Sequence, residues 1–178
     1  MRPVTINLVP ARLNLKKILV PIDFSEESYK ALRYALRFAE QFGARLTLIH
    51  VVEPVVVPPE LGYSALEMPM LNPAIMVKDA RKKLAALIEK EARPPFAADS
   101  VVRRGSPFNE IAAVARETNA DLIIIATHGY TGLKHLFLGS TAEKVVRHAP
   151  CPVLTVRSRQ HDFVRRLKPP TRSSRYEI

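Results

Sequence analysis

Residues 121–126 read DLIIIA, an apolar run with almost no polar break. A strand of that kind has no polar face to give to water, so both of its faces must be covered. KKILVPI (16–22), RLTLIHVV (Arg45–Val52), SVVRR (100–104) and Val153–Val156 are four more short apolar-rich segments. Stretches of helical periodicity separate them. Leu32, Ala35, Leu36, Ala39 and Phe42 recur at helical spacing. Ahead of them Asp23 and Ser25 offer cap oxygens, Glu26 and Glu27 suit a first turn, and Gly43 suits the end. A second helix is expected over 73–93, with Ile75, Met76, Ala80, Leu84, Leu87 and Ile88 inward. A third follows the Gly105-Ser106-Pro107 turn over 108–118. The last is expected over Ser140–His148 and ends at Pro150-Cys151-Pro152. Strand and helix alternate five times. The pattern predicts an α/β fold: a single doubly wound five-stranded parallel sheet with helices on both faces, Rossmann-like.

At 178 residues and 47% hydrophobic the chain can bury the core of one domain with tails to spare. No apolar run reaches the roughly 18 residues that span a bilayer. The N-terminal residues lack the apolar block of roughly 7–15 that a signal peptide carries. A single cysteine, Cys151, excludes an internal disulfide and fits a reducing, cytoplasmic setting. The net charge of +10 is concentrated at the ends. Residues 1–17 hold four bases and no acid; residues 157–178 hold seven bases and two acids, which leaves +1 for everything between. Three regions follow: a basic extension over 1–14, a folded unit over 15–157 and a basic tail over 158–178. Solvated ends account for the charge, and neither membrane nor nucleic acid is an expected partner. Residues 53–74 carry Pro54, Pro58, Pro59, Pro69 and Pro73, which break any regular element, yet are apolar enough for an ordered or partner-covered loop.

The run at 121–126 ends in ATHGYTGLKHLFLGST, with Gly129, Gly132 and Gly139 followed by Ser140 and Thr141. Glycine lets backbone approach an anion, and a helix N-terminus supplies free N–H groups, so this arrangement suits a phosphate cradle. In parallel sheets ligands bind beyond the carboxyl ends of the strands, at the switch point. Asp23 lies just past the first strand and the glycine loop just past the fourth; if those strands are neighbours, the two face each other. Ser140 and Asp23 each also read as simple helix caps. No Gly-Lys-Ser/Thr follows the glycines, Lys134 is not where a P-loop lysine belongs, and the kinase set is missing. Of His50, His128, His135, His148 and His161, none forms a zinc-protease pattern; core or surface roles are expected, with His128, inside the loop, the one placed to touch ligand. Cys151 reads as structural.

The segments KKILVPIDFS, LTLIHVV, RGSPFNEI, DLIIIATHGYTGLKHLFLGSTAEKVVRHA and CPVLTVR, in this order over 16–157, resemble the universal stress protein family. The resemblance implies strand order 3-2-1-4-5 and a homodimer joined at Val153–Val156. It further implies that ATP with Mg²⁺ is bound. Phosphates would meet the backbone of Ala126, Thr127, His128 and Gly129 together with Gly132, Gly139, Ser140 and Thr141; Pro21, Ile22 and Asp23 would line the nucleoside side and Val51 the adenine edge. The family's ATP-binding branch carries a glycine where this chain has Ala126; the second and third motif glycines, Gly129 and Gly139, are present with Ser140 next. The expected function is a dimeric, ATP-dependent stress-response switch or sensor with an unknown protein partner and no catalytic residues. Alternatives are a slow ATPase or self-phosphorylating protein, and a dimeric interaction module without nucleotide.

Overall fold

The structure is a computed structural model and describes residues 13–54, 72–91, 97–127 and 139–157. Among the described residues nine elements alternate: β1 (Lys17–Pro21), α1 (Glu26–Phe42), β2 (Arg45–Val52), α2 (Pro73–Glu91), β3 (Ala98–Arg104), α3 (Pro107–Thr118), β4 (Leu122–Ala126), α4 (Ser140–His148) and β5 (Val153–Val156). The five strands form one sheet in the order β3-β2-β1-β4-β5, with every pairing parallel. Fold class and strand order are as expected.

Successive residues of a strand point to opposite faces, and here both faces are apolar. Ile18 and Val20 of β1, Leu46 and Leu48 of β2 and Ile124 of β4 pack with Leu32, Ala35 and Leu84 from α1 and α2. Leu19, Ile49, Ile123 and Ile125 pack with Ile111, Val114 and Val145 from α3 and α4. Two helices therefore cover each face. α1 begins where Ser25 Oγ accepts from the Ser28 N–H at 3.2 Å and ends at Gly43, whose φ of 62° is left-handed.

Two expectations are corrected. β3 starts at Ala98 rather than at 100, because Ala98 and Asp99 align with Leu46 and Thr47 and Asp99 pairs with Arg45 at 2.8 Å. Ile75 is 48% exposed rather than inward; α2 packs on the outer strands β2 and β3 and buries only Ala80 and Leu84 fully. The span 55–71 lies outside the described residues.

The central strand explains where the sheet opens. The Ile22 N–H donates to the Ile49 carbonyl at 2.8 Å, so even-numbered residues of β1 bond toward β2 and odd-numbered ones toward β4. Pro21 faces β4 and has no N–H to give. β1 and β4 are aligned over only Ile18–Leu122 and Leu19–Ile123, and a crevice opens beyond them.

Gly105 closes β3 at φ 145°, where a Cβ would stand 2.8 Å from Glu110 Oε1. Gly43 sits at φ 62° with no atom within 4 Å of a built Cβ. Gly105→Ala adds collision to backbone strain and should lower stability by about 1–3 kcal/mol. Gly43→Ala carries strain alone and should cost about 1 kcal/mol. Urea denaturation of the two variants compares them; a Gly105→Ala loss no larger than that of Gly43→Ala would show that Glu110 simply moves away.

Candidate functional site

A cleft of about 290 Å³ lies at the carboxyl ends of the strands. It sits where β1 and β4 part, the switch point of the sheet. Nine of the residues singled out from the sequence line it: Pro21, Ile22, Asp23, Val51, Ala126, Thr127, Gly139, Ser140 and Thr141. His128, Gly129 and Gly132 lie outside the described residues. Asp23 and the start of α4 thus share one wall-to-wall space, because β1 and β4 are neighbours.

Thr127 anchors the cleft floor at 1% exposure. Its N–H donates to the Val156 carbonyl at 3.0 Å, and its own carbonyl accepts from the Gly139 N–H at 2.6 Å. That second bond ties the two ends of the glycine loop together and brings α4 to the end of β4. Gly139 takes the N-cap position at φ −63°, so Ser140 is the first helical residue and not the cap. A glycine cap has no side chain to satisfy the first N–H groups of the helix, and Gly139, Ser140 and Thr141 line the cleft.

Asp23 has both of its expected roles within reach. Its Oδ1 accepts from the Ser25 N–H at 3.0 Å and from the Ser25 hydroxyl at 2.5 Å, which steadies the cap of α1. It also lines the cleft. Eight lining residues are not among the site residues expected from the sequence: Ser28, Ile49, His50, Glu53, Pro107, Ile111, Ile125 and Ala142. His50 and Glu53 flank Val51 at the end of β2; Pro107 and Ile111 belong to the first turns of α3. Applying the carboxyl-end rule to every strand, not only to β1 and β4, would have found His50, Glu53 and Pro107, just past or at the ends of β2 and β3. His50 Nδ1 lies 2.7 Å from the Ile22 carbonyl, which ties the ends of β1 and β2 together.

The sequence profile described as the Universal stress protein family matches residues 14–157. The chain belongs to the universal stress protein family. Among its relatives, Universal stress protein MJ0531 of Methanocaldococcus jannaschii is 34% identical over 142 residues, which span 80% of this chain and 82% of the relative. The solved structure of protein MJ0577, 29% identical, superposes with a TM-score of 0.70 over 84% of this chain and all of its own; MJ0577 is a universal stress protein of the same archaeon. Two further solved family structures share the fold at 20% identity, one in complex with cAMP at a TM-score of 0.53 and one from Archaeoglobus fulgidus in complex with dAMP at 0.54.

No helix among the described residues is long and apolar enough to cross a membrane. Cys151 lies before β5, half-buried. Burial pushes its thiol pKa up, the Asp121 carboxylate adds to the rise, and the Ile123 backbone offsets part of it. A raised pKa keeps the sulfur protonated, and the thiol is a poor nucleophile. Cys151 should therefore react with a disulfide reagent more slowly than a free cysteine at neutral pH, and the rate should climb only as pH passes the ordinary thiol range. A fast, pH-independent reaction near pH 7 would reveal a thiolate instead.

Proposed function

We propose that the cleft binds an adenine nucleotide, ATP with Mg²⁺, and that this universal stress protein acts in the cytoplasm as a dimeric nucleotide-dependent switch. The observation that carries the reading is the meeting, in one cleft, of the ends of β1 and β2 with the side-chain-free start of α4. The α4 end offers N–H groups, two hydroxyls and the positive end of a helix dipole, which suit phosphate oxygens. The strand ends offer apolar walls at Ile22, Ile49 and Val51 beside the Asp23 carboxylate, which suit a base and a ribose hydroxyl. No Lys or Arg is among the described lining residues, and Asp23 and Glu53 add negative charge. Phosphate charge there calls for a counter-ion, and Mg²⁺ held largely by phosphate oxygens and water would supply it. Family structures in complex with cAMP and dAMP are in keeping with an adenine nucleotide, although at their low identity they speak to the fold.

The described lining offers no Lys or Arg side chain for a transferring phosphoryl group. The role assigned is therefore binding, in which ATP biases a surface read by a partner. Isothermal calorimetry with MgATP tests the assignment. Gly139→Val should abolish binding by filling the approach to the α4 N-terminus, and Ala126→Gly should leave affinity equal or improved. Unchanged affinity in Gly139→Val would sink the assignment. Steady-state turnover should stay well below the roughly 1–10³ per second of typical enzymes.

For assembly, β5 is an edge strand, and an apolar edge is covered or paired in natural proteins. A second copy of β5, related by a two-fold axis, is the partner assigned. The Ile123 N–H donates to the Pro152 carbonyl and the Thr127 N–H to the Val156 carbonyl, so even-numbered residues of β5 bond inward to β4. The Thr155 N–H consequently faces the open edge, whereas the Leu154 N–H faces β4. Thr155→Pro removes an outward donor without breaking the inner ladder. It should shift the protein to monomer in sedimentation velocity with nucleotide affinity little changed, while deletion of 158–178 should leave the dimer intact. A dimer that survives the proline but dissociates on tail deletion would place the interface in the tail.

A further inference from the structure

Phe24 holds φ at 66°, a left-handed conformation that a bulky aromatic residue rarely takes. Such a conformation persists only where its surroundings over-determine it, and it is a pointer to function rather than to packing. Phe24 is half-buried at the margin of the core formed with α1 and α2.

The contacts around it form a chain that ends in the cleft. The Phe24 ring lies 4.6 Å, centroid to centroid, from the His50 ring at an interplanar angle of 39°. Lys83 Nζ stands 5.6 Å from the ring centroid on the α2 side. His50 Nδ1 is 2.7 Å from the Ile22 carbonyl. A carbonyl can only accept, so Nδ1 carries the proton, and in the neutral ring Nε2 is left as an acceptor. The same Ile22 donates its N–H to Ile49 at 2.8 Å, and Asp23, one residue on, is tied to Ser25. Ile22, Asp23 and His50 all line the cleft. Phe24 does not; it lines a separate groove of about 430 Å³ between α1 and α2. The ring that fixes the plane of His50 thus stands behind the cleft wall.

We propose that Phe24 is a positioning residue for the nucleoside end of the cleft, acting through His50 and the Ile22 carbonyl. The inference rests on the nucleotide reading above and deepens it. The left-handed turn sends the Asp23 side chain toward the cleft and the next side chain away from it. The aromatic contact then holds His50 in the one orientation that locks the end of β1 to the end of β2. The phosphate end, built from Thr127, Gly139 and α4, belongs to other elements and is independent of this contact.

The test measures binding of MgATP, adenosine and inorganic tripolyphosphate by calorimetry to the wild-type protein and to Phe24→Leu, Phe24→Gly and Phe24→Tyr. Leucine keeps bulk and loses the aromatic face. Glycine accepts the left-handed φ and loses the ring. Tyrosine keeps the ring. Leucine and glycine should weaken MgATP and adenosine on the order of tenfold, the scale of one aromatic contact, and leave tripolyphosphate unchanged; tyrosine should bind as wild type does. Wild-type affinity in the glycine variant would show that only the turn matters, and equal losses for tripolyphosphate would show a general structural effect; either overturns the proposal. Should the leucine and glycine variants melt early, His50→Ala removes the same contact with Phe24 in place and should give the same nucleoside-only loss; wild-type adenosine affinity there overturns it too. A wild-type protein that binds none of the three ligands removes the nucleotide reading and this inference together, whereas wild-type binding with unchanged leucine and glycine variants removes this inference alone.

Discussion

The centre of the sheet has no face to give to water. Leu19 and Val20 are adjacent in β1, Ile123 and Ile124 adjacent in β4, and all four have no exposed surface. Neighbouring side chains of a strand point to opposite sides, so complete burial of both requires a helical layer on each face. α1 and α2 supply one layer and α3 and α4 the other. Once both faces are closed, accessible backbone in the sheet remains only at strand ends and edges. Parallel strands put all their carboxyl ends on one side, and the cleft lies on the rim they form.

Where on that rim the cleft lies is decided by one missing donor. The odd-numbered residues of β1 bond toward β4, and the last of them is Pro21. β1 and β2 stay aligned through the Pro21–Ile49 pair, while β1 and β4 stop at Leu19–Ile123. The same geometry separates charge along the cleft. Carboxylates from Asp23 and Glu53 come from the β1 and β2 ends, and the positive end of the α4 dipole comes from the β4 side. A ligand that is polar and neutral at one end and anionic at the other matches that division better than a uniformly charged one.

Much of this was legible in the residues. Arg45–Val52, Ser140–His148 and Val153–Val156 have the bounds read from the sequence, because turn residues or prolines flank each of them. β3 begins two residues earlier than its apolar run suggests, since Ala98 and Asp99 carry no strand signal and are held by pairing with β2. Ile75 fits the helical stripe of α2 yet is exposed, because periodicity names a face without saying how far along the helix the sheet reaches. The cleft residues on β1 and β4 follow from the switch-point rule, whereas His50 does not: its bond to Ile22 joins residues 28 apart and depends on strand pairing. The left-handed turn at Phe24 leaves no trace in the sequence at all, since an aromatic residue is a poor candidate for that conformation.

The motif glycines bear on what the cleft is for. Glycine is required where φ is positive or where another group comes close to the backbone. Gly139 adopts φ −63° and ψ 148°, a conformation open to any residue. Ala126 lies in β4, paired with Val156, and is not among the residues with positive φ. Neither position needs glycine for its backbone angles. The contrast with Gly105, whose φ of 145° favours glycine, is direct. Under the nucleotide reading, a missing side chain at Gly139 would leave room for a phosphate beside the first N–H groups of α4. What Ala126 adds is one methyl group at the end of β4, in a strand conformation that holds it without strain. Departure from glycine at 126 changes the volume of the cleft by a methyl in a strand conformation; the nucleotide reading predicts that a side chain at 139 would not be tolerated.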